Sequence, residues 1–459
     1  MLFNSHVFLA LFAPVVLLGW WALRPPTLRL GFLAVASYIF YAYWDWRFVP
    51  LMWLSTGIDY IAGAAIARAD GGRRRSILVV ALAANLAILG YFKYAGFFLD
   101  SLDGIGRVLG VDPALPIVQV VLPIGISFYT FNSMSYTIDV YRGVVAPARS
   151  AIHYAAFVAM FPHLIAGPIV RYADIEQQLA RLQPRLTAVL ASSGAFFFAC
   201  GLAKKLLIAD TLAPYVDALF GRHAELGLVS GWAAAVAYAL QLYFDFSGYS
   251  DMAVGLAFLL GFRFPQNFDS PYRARNISEF WRRWHMSLSF WLRDYLFLPL
   301  GGSRGSRSRT LLNLLVVMFL GGLWHGAAWT FIVWGLMHGA FLVIHNVARG
   351  AGWTPRSELV ARGVTFACVV AAFVVFRAPT LSVAGDVLGA MAGLHGVGTG
   401  VAVRLLALIA VLVVFVNVAP NTWQVRVRPT RRHGIAVGLV AAAAILQISA
   451  PSPFLYFQF

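Results

Sequence analysis

The sequence predicts an all-α membrane protein that crosses the bilayer many times, and three observations predict it. Charged residues make up 12% of the 459-residue chain and hydrophobic residues 60%, where an ordinary soluble domain carries about 25% charged residues. Apolar runs recur from end to end, and the mean hydropathy is +0.74. The net charge of +16 gathers in short segments between the runs, as Lys and Arg do in cytoplasmic loops. Read this way, the charge implies membrane topology and no nucleic acid.

The apolar runs fall near 7–23, 30–46, 49–67, 77–99, 117–133, 151–170, 187–209, 228–246, 252–264, 310–326, 327–347, 359–376, 401–418 and 434–450. A span needs about 20 residues, so the shorter runs are expected to be tilted, broken or re-entrant, giving about 11 to 14 membrane segments. The N-terminal stretch lacks a positive n-region and a small-residue cleavage site, so the first run reads as a retained helix. No repeat stands out and no linker separates domains, so residues 1–459 read as a single membrane domain. The two cysteines, Cys200 and Cys368, both lie in apolar runs, and no paired spacing suggests a disulfide or a metal site.

Orientation follows from the basic segments. RADGGRRRS (68–76) is placed in the cytoplasm, which puts Arg24 and Arg29 on the same side and the N-terminus outside. Between 273 and 309 eight arginines face only Glu279 and Asp294, and this region too is placed in the cytoplasm. RVRPTRRH (426–433) is a third basic loop.

Polar residues inside apolar runs are costly and are functional suspects. His325 sits in GGLWHGAAWTFIVWG. If its helix starts near Arg309, sixteen residues carry it roughly 24 Å deep in a core of about 30 Å. Glycines on both sides permit close approach of backbone or ligand. It is either a packing residue bonded to a neighbouring helix or a base for proton transfer. His285 lies in EFWRRWHMSLSFWLRDYLFLPLGG (279–302), where Trp281, His285, Leu288 and Leu292 share one face of an expected amphipathic helix. There the alternatives are an interfacial histidine and a site residue. On one straight helix His325 and His338 stand about 20 Å apart and about 220° round the axis, so they meet only if the chain breaks. His338 and His345 read as packing or supporting residues. Asp245 and Asp251, like Asp59 and Asp139, read as members of structural ion pairs, with a relay or orienting role as the alternative. The arginine cluster either sets topology and binds anionic headgroups or holds the phosphates of a thioester donor. No P-loop, no nucleophile elbow and no HExxH motif is read, so transport driven by ATP in this chain is not expected. A buried histidine suits a general base near neutral pH, taking the proton of a hydroxyl as it attacks an acyl group.

Five blocks carry a resemblance: LPIGISFYTFNSMSYTIDVYRG (122–143), FPHLIAGPIVRY (161–172), QLYFDFSGYSDMAVG (241–255), the stretch from FWRRWHMSLSFWLRDYLFLPLGG through FLGGLWHGAAWTFIVWGLMHG (280–339), and the terminal SPFLYFQF (452–459). Together they resemble the membrane-bound O-acyltransferase (MBOAT) superfamily, in its bacterial alginate O-acetyltransferase branch. The resemblance implies a ring of tilted helices around a central tunnel through a thinned membrane, with a catalytic core over 120–345. It places the family's catalytic histidine at His325 and the bacterial branch's second histidine at His285; no function is attached to His163. It implies a multi-pass protein of the bacterial inner membrane, with an acetyl thioester (acetyl-CoA or an acyl carrier) as substrate rather than a bound cofactor, and no metal. It also implies membrane lipids, a periplasmic SGNH-type acetyltransferase and a polysaccharide acetylation and secretion complex as partners. The acyl group would pass to an exopolysaccharide, alginate first, with peptidoglycan, cellulose or D-alanyl transfer as alternatives within the fold. A transporter or a scaffold without chemistry are the alternatives outside it.

Overall fold

A computed structural model describes residues 1–110, 120–353, 355–398, 400–448 and 452–455. The described residues form helices joined by turns and irregular segments, with no strand among them. By length and composition alone, four helical stretches are long and apolar enough to cross a membrane: Pro26–Arg68, Gly71–Val108, Trp329–Gly350 and Glu358–Arg377. The last four residues of the terminal block lie outside the described residues.

The chain divides into two compact units. One comprises Met1–Phe198 with Met252–Pro265, the other Ala199–Asp251 with Gln266–Phe459. In the first, Pro26 opens the helix Pro26–Asp45 and Pro50 sits in the first turn of Val49–Arg68, positions where the missing N–H costs nothing. Asp45 turns the chain between them by accepting the Arg47 N–H at 3.0 Å. Gly71–Val108 has 38 residues, about 57 Å at 1.5 Å per residue. That exceeds a hydrocarbon core of about 30 Å, so the helix tilts or projects from it. The basic segment 68–76 is therefore mostly not a loop: only Ala69 and Asp70 connect the helices, and Arg73, Arg74 and Arg75 ride on the next first turns.

Inside this unit the helix Ile126–Arg142 is buried along nearly its whole length although it carries Ser, Thr and Asn. Those groups are absorbed by hydrogen bonds. Asp59 accepts from Thr137 Oγ1 at 2.5 Å and from Asn85 Nδ2 at 2.8 Å, and Asn85 Oδ1 accepts from Ser55 at 2.8 Å. The expected ion pair at Asp59 is thus replaced by neutral donors.

In the second unit, Arg307–His325 and Trp329–Gly350 form an antiparallel hairpin. The two helices touch at Gly322 and Gly335. A methyl group on Gly322 would run into the Phe331 carbonyl, and one on Gly335 into the Met318 carbonyl, so only glycine allows this crossing. Ser306 caps the first helix by accepting the Arg309 N–H at 3.3 Å.

Two expected boundaries move. The runs 228–246 and 252–264 form one helix, Leu228–Leu260, that places Asp245 and Asp251 in its interior. The amphipathic helix expected over 279–302 is broken. It becomes Ile277–Trp281, a turn, and Met286–Leu292 followed by a π turn at Arg293–Phe297. The break falls at His285, whose φ of +42° and ψ of 54° are left-handed, a conformation that stops a helix. Gly301, Ser303 and Gly305 do spell G-x-S-x-G, a pattern the sequence reading leaves out. They form turns ahead of Arg307–His325 with no strand before them, so the elbow geometry is absent.

Candidate active site

His285 and His325 both belong to the second unit and are buried, with 1% and 6% of their surface exposed. The amphipathic reading put His285 at an interface; instead it packs edge-on to Phe246 at 4.7 Å and lies 6.2 Å from the Trp324 ring. Left-handed backbone in a residue other than glycine costs of order 1–3 kcal/mol. Here it turns the imidazole inward, where two partners define it.

Those partners fix the tautomer. Asn267 Oδ1 accepts the Ser287 backbone N–H at 3.3 Å and the Ser287 hydroxyl at 2.9 Å, while Asn267 Nδ2 donates to Ser250 at 3.0 Å. A backbone N–H can only donate, so the atom facing it is the amide oxygen. His285 Nδ1 meets the same oxygen at 3.2 Å and must carry the hydrogen. The lone pair of the neutral ring therefore sits on Nε2, which has no hydrogen-bond partner among the described residues.

His325 ends the helix Arg307–His325. That helix begins two residues before the expected Arg309 boundary, so His325 lies about 27 Å along it. Its ring packs against Trp324 at 5.0 Å, Trp334 at 4.9 Å and Phe376 at 5.3 Å. Gly326 lets the chain turn away beneath the Phe331 ring, which a Cβ there would strike. The break at 326–328 removes the straight-helix separation of His325 and His338: the Trp334 ring lies 4.9 Å from the first and 4.8 Å from the second. His338 is fully buried and its Nδ1 accepts from Trp281 Nε1 at 3.3 Å. Indole only donates, so the His338 proton is on Nε2. His338 orients Trp281 and Trp334, the supporting place the sequence suggested.

Asp245 and Asp251 are in ion pairs, as expected, but their partners are lysines. Lys205 Nζ lies 2.8 Å from both Asp245 and Asp210 and donates to Ser452 Oγ and the Pro453 carbonyl at 3.1 and 3.0 Å. The other Asp245 oxygen accepts the Leu455 N–H at 3.0 Å. Lys204 pairs with Asp251 at 2.6 Å and donates to Thr422 at 2.9 Å. Sequence reasoning missed these lysines. The rule that singled out His325 would have found them, since two adjacent Lys interrupt the run 187–209. Asn267 was missed too, and no spacing in the sequence marks it.

The basic segment is largely occupied in holding the unit together. Arg273 donates to the Val416 and Ala419 carbonyls. Arg307 donates to the Val347 carbonyl at 3.2 Å, and Arg309 to the Leu300 carbonyl at 3.4 Å. Arg283 bridges Glu279 at 3.0 Å and Asp269 at 3.2 Å. Burial raises the Glu279 carboxyl, but the Arg275 N–H and the Arg283 guanidinium outweigh it and hold it below its ordinary value. Among the described residues no group of three or more His, Cys, Asp or Glu is placed to hold a metal ion.

The chain belongs to the membrane-bound O-acyltransferase family, whose model matches residues 147–379, and it is a multi-pass membrane O-acyltransferase. It is 41% identical to the probable alginate O-acetylase AlgI of Azotobacter vinelandii and 43% identical to that of Pseudomonas putida, each over the whole of both chains. It is 36% identical to the peptidoglycan O-acetyltransferase of Helicobacter pylori, over 86% of this chain and 81% of that one.

Proposed function

We propose that this chain passes an acetyl group from a cytoplasmic thioester, acetyl-CoA or an acyl carrier, across the bacterial inner membrane for O-acetylation of alginate. Relatives named for alginate, matched over their full length, support the polymer. The observation that carries the chemistry is the pair of buried imidazoles, His325 and His285, whose rings lie 5.0 and 6.2 Å from that of Trp324.

An acceptor hydroxyl attacks the thioester carbonyl carbon while His325 takes its proton. The new carbon–oxygen bond forms, the carbon–sulfur bond breaks, and the thiolate leaves with the proton returned by the imidazolium. His285, with its Nε2 lone pair unengaged, positions the donor or shares that proton. The donor docks at the basic mouth formed by residues 273–309, and its acyl end reaches the histidines through a narrow passage. The first acceptor is a serine of a periplasmic SGNH-type acetyltransferase, the sugar itself, or His325 as a covalent acyl carrier, and the SGNH-type partner acetylates the polymer within a polysaccharide secretion complex. Acetylation of peptidoglycan is the second reading, supported by the Helicobacter pylori relative. Acetyl content of alginate and of peptidoglycan in a deletion strain separates the two.

The test of mechanism is His325→Ala and His285→Ala, with expression and membrane insertion verified. Both are expected to abolish acetylation of the polymer, and full acetylation by His325→Ala would remove the mechanism. A His325→Cys chain also carrying Cys200→Ser and Cys368→Ser is expected to react with a small impermeant thiol reagent from either face. Reaction from neither face would end the relay.

A further inference from the structure

A cavity of about 610 Å³ opens in the same unit where Trp329–Gly350 ends and Glu358–Arg377 begins. Neither His285 nor His325 lines it. Its two walls are regular helix faces: Phe341, Ile344 and Ala348 on one side, Ala361, Val364 and Cys368 on the other. These recur at three and four residues, the spacing of one face. From Glu358 to Cys368 the groove follows ten residues, about 15 Å, half of a hydrocarbon core of about 30 Å.

The mouth is cationic. Arg275 and Arg356 line it, and Arg282 and Arg349 lie close enough to act electrostatically on His345 at its edge. The acid there is Glu358, which is engaged by Arg362 at 2.5 Å and only loosely by Arg275 at 3.7 Å. A half-exposed pair at that distance holds neither partner firmly. The rim therefore keeps surplus positive charge at the end of the hairpin that Arg307 ties to Val347.

We propose that this groove binds one anionic phospholipid, with its phosphate between Arg275 and Arg356 and an acyl chain laid between the two helices. A soluble phosphate would satisfy the rim but leave the apolar walls empty. The surrounding surface belongs to hydrocarbon: Ile344 is 62% exposed, Leu359 81% and Val364 55%. Trp353, 80% exposed at the mouth, is the side chain that prefers the headgroup level. Guanidinium forks above an apolar slot match a phosphodiester above its chain. The lipid would brace the junction of the helices that carry Trp334, His338 and Phe376 against the imidazoles.

The experiment uses the full chain in detergent, with native mass spectrometry reading bound palmitoyl-oleoyl phosphatidylglycerol against palmitoyl-oleoyl phosphatidylcholine. One phosphatidylglycerol per chain is expected, preferred at least tenfold. The double variant Arg275→Gln, Arg356→Gln is expected to lose that preference, and Val364→Trp, which fills the slot from an exposed position, to weaken both lipids. Should the double variant fail to fold, Val364→Trp decides. Undiminished preference in a folded variant overturns the proposal. So does equal competition by inorganic phosphate or glycerol phosphate, which would make this a free-anion site. Displacement of the lipid by an equimolar amount of coenzyme A would reassign the groove to the thioester and overturn it as well.

Discussion

Two buried polar clusters, one in each unit, answer the cost of desolvation in opposite ways. At Asp59 both carboxylate oxygens accept, and the amide of Asn85 is engaged at both ends. Around His285 the Nδ1 side is fixed by Asn267 while Nε2, which carries the lone pair, is left without a partner among the described residues. A satisfied cluster holds helices together; a cluster that leaves a basic nitrogen unengaged pays for it in stability, and chemistry is the return. Burial alone does not distinguish them, since Asp59 is as enclosed as His285.

The contrast can be broken by substitution. The largest expected effect is at His325. His325→Ala should lower acetyl transfer by about 100- to 10,000-fold with insertion unchanged, read as product formed per mole of folded protein. Next is the ion pair that supports the histidine unit. Lys205→Met leaves Asp245 buried without its cation and should cost about 3–5 kcal/mol, read as a fall in thermal stability in detergent. Asn267→Ala tests the tautomer. Freed from Asn267, His285 loses its fixed orientation, and kcat per folded molecule should fall about 10- to 100-fold, alongside a stability loss of about 1–3 kcal/mol from the buried donors left unpaired. A stability loss without a kcat effect would make Asn267 merely structural. The smallest effect is expected in the satisfied cluster: Asn85→Ala should cost about 0.6–1.7 kcal/mol and leave activity per folded molecule intact. If Asn85→Ala instead abolished activity in folded protein, the division into structural and reactive clusters would fail.

The fold class was legible because hydropathy and charge segregation act over whole helices, and local sequence is enough to show them. The helix start near Arg309 was readable within two residues because Ser306 caps it. The break at His285 was not. The spacing of Trp281, His285, Leu288 and Leu292 is helical, yet the turn depends on Asn267, 18 residues earlier, holding the imidazole and neighbouring backbone. Tertiary hydrogen bonds of this kind leave no periodic trace. The same holds for Asp245 and Asp251. An ion pair was readable from an acid in an apolar run, but the choice of Lys204 and Lys205 over an arginine required knowing which helices face each other. Gly322 and Gly335 were visible as small residues, and only the crossing itself shows that a methyl group has nowhere to go.

The anchoring of Lys205 to Ser452 spans 247 residues of sequence. A ribosome adding about 5–20 residues each second needs something like 12–50 s to travel that far. Throughout that interval the nascent helix pair carries its ammonium and carboxylates in the bilayer without the hydroxyl, carbonyl and amide that later close over them. Assembly of this half of the enzyme therefore waits until residue 452 has been made, and a product stopped short of it would present an open ionic gap for membrane proteases to recognise.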